Sequence, residues 1–227
     1  MRLLFVSPTH SDVAPAVVMG QRLAIMHAMT HGGVTWVGDV SLDDVKLTTI
    51  DTARNRVVER ALAVQPGDPG EAEGIFWCDS DILLPVDAIT QLVRSERAFV
   101  TGMYYQRYPP YFPVVGRYDG SGHGVNWFVE WLPDCVAPAD LCGFGCVLTS
   151  LALLRTMQAP YFHFGGMSED FMFCRQAMDR GVQLFVHTGV QCGHVGPRQV
   201  VTVEDFQAAW AAQGPSGHAR IPDGSAA

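Results

Sequence analysis

The chain has 227 residues, of which 48% are hydrophobic and 17% are charged. This composition excludes a disordered chain and supplies enough apolar material for one sizeable core. The net charge of −8 counts against binding of nucleic acid or an anionic membrane through overall charge, and leaves only a local basic patch for such a role.

The first half of the chain alternates short apolar runs with helical stretches. We predict strands at 3–7, 34–37, 74–78 and 98–102, and helices at 14–30, 52–64 and 86–96. The strands are predicted because buried parallel strands are continuous apolar runs. Gly32-Gly33 is a signal that the first helix ends there. This order predicts an α/β fold with a mostly parallel central sheet flanked by helices.

The second half differs in composition. Residues 104–131 are rich in aromatics, Gly and Pro, which predicts strands and loops in a small antiparallel region. We expect helices at 151–157 and 168–181 and a strand at 183–187, and Thr202 to Asp205 resembles a capping box that opens a last helix through 212. We predict a single domain, 1–213, followed by a flexible tail, 214–227.

The sequence also bears on location. No apolar run reaches the roughly 18 residues of a membrane span. The first eight residues predict a strand rather than a signal peptide. The six cysteines form no Cys-x-x-Cys pair, which favours reduced thiols in a cytosol over a disulfide framework.

Asp79-Ser80-Asp81 directly follows a predicted buried strand. Open α/β sheets place ligands at such strand ends, and two nearby carboxylates can hold a hard divalent cation that phosphates also bind. The alternative is a turn with two solvated acids.

Ser168-Glu169-Asp170 opens a predicted helix. A serine N-cap and acids in the first turn suit the helix dipole, whereas the functional alternative is a positioned carboxylate that acts as a general base toward a hydroxyl. His194, in a predicted Gly-rich loop, is a structural histidine or a third metal ligand beside the two aspartates. A rival is a zinc site with non-standard spacings, formed by Cys142, Cys146, Cys192 and His194.

Two further segments have open interpretations. Arg54-Asn55 lies in an exposed first turn, or presents a guanidinium and an amide to a nucleotide. Residues 103–118 interleave aromatics with Arg107 and Arg117, a pattern that stacks on sugars or bases, or else forms a hairpin with half-buried aromatics.

The order of these motifs resembles the GT-A glycosyltransferases, specifically the family-2-like enzymes of bacteria and their phages. The resemblance runs over about 3–196 and includes the first strand, the Arg-Asn helix, the Asp-Ser-Asp strand end, Gly143-Phe144-Gly145, the Ser-Glu-Asp helix and Gly193-His194. The chain departs from the pattern at Ser7-Pro8-Thr9-His10, where many members carry an acid.

The resemblance implies a GT-A (Rossmann-like) fold and transfer of a sugar from a nucleoside-diphosphate sugar, expected to be a UDP-sugar, to a hydroxyl with inversion. Mn²⁺ or Mg²⁺ would be held by Asp79, Asp81 and His194 and would stabilise the leaving diphosphate. Asp79 is alternatively a ribose contact. Asp170 would be the catalytic base, and Glu169 would orient the base or the acceptor.

The resemblance also implies donor contacts. The residues expected near the nucleotide are Thr9, His10, Arg54 and Asn55. The donor sugar pocket would be shaped by Gly143, Phe144 and Gly145.

The acceptor stays open. It is a glycan or cell-surface precursor, or a hydroxymethylated pyrimidine in phage DNA that is flipped out of the duplex, against which the acidic net charge counts. The alternatives are a non-catalytic nucleotide-sugar-binding protein, or a nucleotidyltransferase, which a missing Gly-rich phosphate loop disfavours. The expected location is the cytosol of a bacterium or phage-infected host, and the oligomeric state stays open.

Overall fold

The structure, a computed structural model, describes residues 1–9, 12–41, 49–65, 67–121, 124–197, 199–213 and 219–220. In these residues the helices are α1 (Pro15–His31), α2 (Ile50–Ala63), α3 (Ala88–Arg94), α4 (Leu151–Thr156), α5 (Glu169–Asp179) and α6 (Val203–Gln213). The strands are β1 (Arg2–Ser7), β2 (Thr35–Ser41), β3 (Gly74–Cys78), β4 (Ile82–Leu83), β5 (Phe99–Met103), β6 (Val115–Tyr118), β7 (Val125–Glu130), β8 (Val136–Ala139), β9 (Leu141–Cys142), β10 (Cys146–Ser150), β11 (Leu184–Gln191), β12 (Gly193–Val195), β13 (Val200–Val201) and β14 (Ala219–Arg220).

A seven-stranded mixed sheet runs through the middle of the molecule, in the order β2-β1-β3-β10-β5-β11-β8. Strands β2, β1, β3, β5 and β11 run in one direction, and β10 and β8 run against them. The prediction of an α/β, Rossmann-like fold is therefore confirmed, but the sheet is mixed rather than mostly parallel, since three of its six strand pairs are antiparallel. Strand β10, which the sequence analysis did not identify, separates β3 from β5.

Helices cover both faces of this sheet. In β3, Ile75 and Trp77 point into a core shared with α2, α4 and α5, while Phe76 and Cys78 point into a second core shared with α1 and α3. All five residues of β3 are buried, because each face of the strand meets a helix layer. This burial explains why the strand is apolar at consecutive positions rather than at alternate ones.

Two small sheets stand beside the large one. The first has the order β14-β7-β6-β9 and accounts for the predicted strands and loops of 104–131. Its strand β14 pairs in parallel with β7; the rest of the predicted tail, 214–218 and 221–227, lies outside the described residues. The second has the order β13-β12-β4 and contains His194. The prediction that His194 lies in a loop is wrong, because Gly193 and His194 pair with Leu83 and Ile82.

The predicted capping box at the last helix is half formed, because the Thr202 hydroxyl contacts the carboxylates of Glu204 and Asp205 and accepts from no backbone N–H of a described residue. The backbone N–H of Thr202 donates to Asp205 Oδ2 at 2.9 Å, and α6 begins at the next residue, Val203. No helix within the described ranges combines the length and the hydropathy that a membrane crossing requires.

Candidate functional site

Polar side chains collect where the parallel strands end. Asp79 and Asp81 follow β3, and Tyr104 follows β5. Because β10 runs the other way, the Gly143-Phe144-Gly145 segment that precedes it reaches the same edge, and the N–H of Asp79 donates to the carbonyl of Gly145 at 3.3 Å. The carboxyl edge of an α/β sheet is where such folds bind ligands.

Arg54 joins two elements of this edge. Its Nη2 donates to Asp79 Oδ1 at 2.8 Å and its Nη1 to Glu169 Oε1 at 2.7 Å. The side chain is 3% exposed and lies over the rings of Phe144 and Phe162, so it does not occupy an exposed first turn. Burial alone would lower the pKa of Arg54, but Asp79, Asp170 and Glu169 outweigh it and raise the pKa. The guanidinium is therefore a permanent cation between three carboxylates.

Glu169 and Asp170 occupy the first turn of α5. Ser168 is at the N-cap as predicted, but its hydroxyl donates to Asp170 Oδ1 and caps no backbone N–H, while the N–H of Phe171 also donates to Asp170 Oδ1. Burial raises the pKa of both Glu169 and Asp170, and Arg54 opposes this rise. A carboxylate whose pKa is raised accepts a proton more readily, which suits a general base.

Asp81 and His194 form a second polar pair. The N–H of Val195 donates to the carbonyl of Asp81 at 2.8 Å, and His194 Nε2 lies 3.4 Å from Asp81 Oδ2. His194 Nδ1 lies 2.6 Å from the carbonyl of Tyr105, which can only accept, so Nδ1 carries the proton. Nε2 thus turns its lone pair, or a second proton, toward Asp81.

Arg107 forms an ion pair with the same carboxylate of Asp81. Its Nη2 lies 2.9 Å from Asp81 Oδ2, and its side chain is half exposed. Burial alone would raise the pKa of Asp81, but the hydrogen bond and charge of His194, together with Arg107, lower it. Asp81 is therefore an ionised carboxylate over the ordinary pH range.

The predicted three-residue metal group is only partly assembled. Within the described part of the chain, no three His, Cys, Asp or Glu side chains are placed to hold one ion. Asp81 and His194 do lie together, but Asp79 turns its Oδ1 to Arg54. His194 directs its other ring N–H at a backbone carbonyl, as histidine ligands of metals commonly do, but the Asp81 oxygen that faces it is also paired with Arg107.

The rival zinc site does not assemble. The Cys174 thiol on α5 donates to the backbone carbonyl of Cys142. All six cysteines are free thiols in this structure. Among the described residues, the four proposed zinc ligands form no group that could bind a metal.

The Gly143-Phe144-Gly145 segment packs against protein rather than open space. Phe144 is fully buried and contacts Trp77, Phe162 and Phe173 edge to face. A Cβ on Gly143 would lie 1.9 Å from Tyr104 Oη, and one on Gly145 would lie 2.9 Å from the Tyr104 ring. The two glycines therefore make room for Tyr104, a site residue that the sequence analysis included only in an aromatic stretch.

The residues predicted to contact the nucleotide lie in different parts of the structure, and one of them falls outside the described residues. Thr9 follows β1, and its hydroxyl donates to the carbonyl of Ser7 at 3.1 Å; His10 lies outside the described residues. Asn55 holds the segment before α5: its Oδ1 accepts from the N–H groups of Tyr161 and Phe162, and its Nδ2 donates to the carbonyl of Phe162. Whether these residues also contact a nucleotide stays a prediction.

The aromatic segment 103–118 divides between core and surface. Tyr104 and Tyr105 are buried, whereas Tyr108 is 67% exposed. Arg107, Tyr108 and Tyr111 line a cavity of about 600 Å³ that also borders Gly196. Because Arg107 also bonds Asp81, this cavity adjoins the Asp81–His194 pair.

Comparisons with known proteins identify the fold. No family model and no curated protein matches the chain. Among solved structures, A197 from STIV aligns with a TM-score of 0.55 and 14% identity over 99% of this chain and 100% of its own. The crystal structure of GalNAc-T7 with UDP, GalNAc and Mn²⁺ aligns with a TM-score of 0.56 and 10% identity over 91% of this chain, which spans 47% of the GalNAc-T7 chain. The inositol-1-phosphate CTP transferase from T. maritima aligns with a TM-score of 0.47 and 12% identity over 92% of this chain and 95% of its own. At these identities, the first two structures share the fold of this chain.

Proposed function

We propose that this protein is a metal-dependent glycosyltransferase of the GT-A type, which moves a sugar from a nucleoside-diphosphate sugar to a hydroxyl acceptor. The observation that carries the proposal is the Arg54 bridge, which ties Asp79, beside the Asp81–His194 pair, to the helix start that bears Asp170. The candidate metal ligands Asp81 and His194 and the partly buried carboxylate of Asp170 thus share one edge of the sheet. The fold similarity to GalNAc-T7, solved with UDP, GalNAc and Mn²⁺, supports the choice of donor and metal.

Asp170 is the proposed base. Its Oδ1 is held by Ser168 and by the N–H of Phe171, and burial raises its pKa. It would take the proton from the acceptor hydroxyl as that oxygen attacks the anomeric carbon with inversion. The charge of Glu169 is balanced by Arg54, and Glu169 would orient the base or the acceptor.

Asp81 and His194 are the proposed metal ligands, with Asp79 beside them. When bound, Mn²⁺ or Mg²⁺ would supply Lewis-acid stabilisation of the leaving diphosphate. His194 has its protonated Nδ1 directed at the carbonyl of Tyr105, so its Nε2 is the nitrogen offered to the ion. Thr9, His10, Arg54 and Asn55 near the nucleotide, and Gly143 to Gly145 near the sugar, remain part of the proposal.

A thermal-shift panel tests donor and metal together. Among UDP-, GDP- and CMP-sugars, we expect one of the two diphosphate classes, UDP- or GDP-sugars, to raise the melting temperature, and to do so more with Mn²⁺, because a ligand that binds only the native state stabilises it. Asp81→Asn is expected to remove the Mn²⁺-dependent part of the shift. The absence of any shift, or an unchanged Mn²⁺ effect in Asp81→Asn, would contradict the proposal.

Turnover separates an enzyme from a binding protein. We expect slow nucleoside-diphosphate release with the bound donor, and Asp170→Asn should lower it by about a hundredfold or more while donor binding persists. The matched control is Asp179→Asn, an exposed carboxylate of the same helix. Donor binding without release would favour the non-catalytic alternative, and release of pyrophosphate would favour a nucleotidyltransferase.

The cavity beside Arg107 is the proposed acceptor side. An arginine and two tyrosines suit a sugar or a flipped base. Stimulation of release by glycans, or by duplex DNA with hydroxymethylated pyrimidines, separates the two acceptor classes. A DNA acceptor also predicts binding that weakens between about 50 and 200 mM salt.

A further inference from the structure

Arg107 and His194 approach the same oxygen of Asp81, but the protein holds the two side chains very differently. Arg107 Nη2 lies 2.9 Å and His194 Nε2 lies 3.4 Å from Asp81 Oδ2. His194 is buried, its Nδ1 lies 2.6 Å from the carbonyl of Tyr105, and its backbone pairs with Ile82 in β4. Because His194 is fixed in this way, Arg107 is the partner that Asp81 can exchange.

The Arg107 side chain borders open space into which it can move. It is 49% exposed, and Asp81 is its one ion-pair partner among the described residues. It also lines the cavity of about 600 Å³ beside Tyr108 and Tyr111. A small rotation of the side chain would therefore transfer the guanidinium from the carboxylate to a ligand in this cavity.

The charge of the cavity indicates which ligand would attract the guanidinium. None of the described lining residues is acidic, and Arg107 is the one among them that carries a full charge. The planar fork of an arginine matches two oxygens of a phosphate, and the two tyrosines offer rings on which a sugar or a base can lie. A phosphate attached to a ring is the chemistry that suits this lining.

The ion pair makes a cation and a phosphate depend on each other. A divalent cation on Asp81 and His194 needs the side of the carboxylate that Arg107 occupies. A phosphate in the cavity needs the guanidinium that Asp81 holds. Each ligand thus releases the residue that the other one binds, and by linkage each raises the affinity for the other by the same factor.

We propose that Arg107 binds a phosphate group in this cavity, and that its guanidinium is released from Asp81 when a divalent cation binds to Asp81 and His194. The inference rests on the proposed function and deepens it, because it makes the acceptor-side cavity a phosphate site coupled to the metal site. The phosphate belongs to the donor or to a phosphorylated acceptor, which share this chemistry.

The first test measures binding of Mn²⁺ alone, without any nucleotide, from the EPR signal of the free ion. Arg107→Met should bind Mn²⁺ about fivefold more tightly than the wild type, the factor that a half-exposed ion pair is worth. Asp81→Asn should lose this binding, with or without Arg107→Met. The control is Arg155→Met, which removes the same charge from an exposed position on α4 and should leave the Mn²⁺ affinity unchanged.

The second test measures binding of phenyl phosphate by calorimetry in the presence of EDTA, so that no metal ion bridges protein and phosphate. Asp81→Asn should bind phenyl phosphate about fivefold more tightly than the wild type, because Arg107 then lacks a charged partner. Adding Arg107→Met should abolish this binding. The control is Asp179→Asn, which removes an exposed carboxylate from α5 and should leave the phenyl phosphate affinity unchanged.

The outcomes separate the inference from the proposed function. Equal Mn²⁺ affinities of the wild type and Arg107→Met, or phenyl phosphate binding that survives Arg107→Met, would overturn the inference and leave the proposed function standing. If Mn²⁺ binds neither protein, both are overturned. If both tests give the expected gains, loss of phenyl phosphate when Mn²⁺ and a nucleoside diphosphate bind assigns the phosphate to the donor, and simultaneous binding assigns it to a phosphorylated acceptor.

Discussion

Arg54 is a buried cation on which several carboxylates depend, and replacing it with methionine should destabilise the fold. Methionine keeps the packing against Phe144 and Phe162 but removes the hydrogen bonds of 2.8 and 2.7 Å to Asp79 and Glu169. Glu169 has only 9% of its side chain exposed, so its charge would be left buried without a partner. Breaking a buried ion pair in this way costs about 3–5 kcal/mol.

We expect Arg54→Met to cost stability at the lower end of that range, because the Asp79 side chain is 31% exposed and water can solvate its unpaired carboxylate. A loss of about 3 kcal/mol corresponds to a fall in melting temperature of about 6–12 °C for a chain of this size. The loss should shrink as the pH falls from about 7 to about 5. Burial already raises the pKa of Glu169 and Asp170, and removal of Arg54 raises them further, so the folded state of the variant binds more protons than the unfolded chain and gains stability on acidification.

Urea unfolding of the wild type and of Arg54→Met at both pH values measures the loss of stability and its change with pH. The control is Arg175→Met on α5. It removes a partly exposed arginine whose ion pair with Asp179 is 3.9 Å long and which lies over the Tyr118 ring, and it should cost under about 1 kcal/mol. Arg54→Lys should fall between the two, since a lysine cannot bridge both carboxylates with a planar fork. A cost below about 1 kcal/mol for Arg54→Met, or a cost that grows on acidification, would refute the reasoning.

Two further predictions concern stability. Asn55→Ala removes three hydrogen bonds of 2.7–3.0 Å to the backbone of Tyr161 and Phe162 and should cost about 2–3 kcal/mol in urea unfolding. Asn55→Asp keeps both acceptor bonds but sets an oxygen against the carbonyl of Phe162, so it should also destabilise the fold. The folded-state pKa of Asp81 is lowered, so its contribution is present above the unfolded pKa and is lost as the pH falls through the folded one. Asp81→Asn should therefore cost about 1 kcal/mol at about pH 7 and less at about pH 3, and a constant difference in melting temperature would count against the His194 and Arg107 contacts.

Much of the large sheet could be predicted from the sequence, because the strands buried on both faces are continuous apolar runs. The run at 74–78 matches β3 at both ends, and the helices differ from their predicted bounds by a few residues. Strand β10 was missed because its five residues follow a glycine segment and run antiparallel between two parallel strands, which periodicity does not reveal. The short strand β4 pairs with β12, and β12 pairs with β4 and β13, so their hydrogen bonds depend on distant segments that no local pattern marks.

Only part of the site could be predicted, because local sequence patterns locate the ends of helices and strands but not contacts between distant residues. Asp79, Asp81 and Asp170 lie at element ends that local patterns locate. The bridge from Arg54 to Glu169 joins residues far apart in the chain, and a single sequence contains no signal for it. Tyr104 was hidden among neighbouring aromatics; a sign in the sequence was the pair of glycines at 143 and 145, whose need for space becomes evident only once β5 and β10 are adjacent.

The small sheet that holds His194 also sets an order of events during synthesis. Strand β4 emerges from the ribosome together with the first half of the central sheet, but its partner β12 lies near the end of the described chain. A nascent chain can therefore present Asp81 long before His194 exists to meet it. The site cannot assemble until the polypeptide has been made through β12, and a product cut short after β11 would lack the histidine entirely.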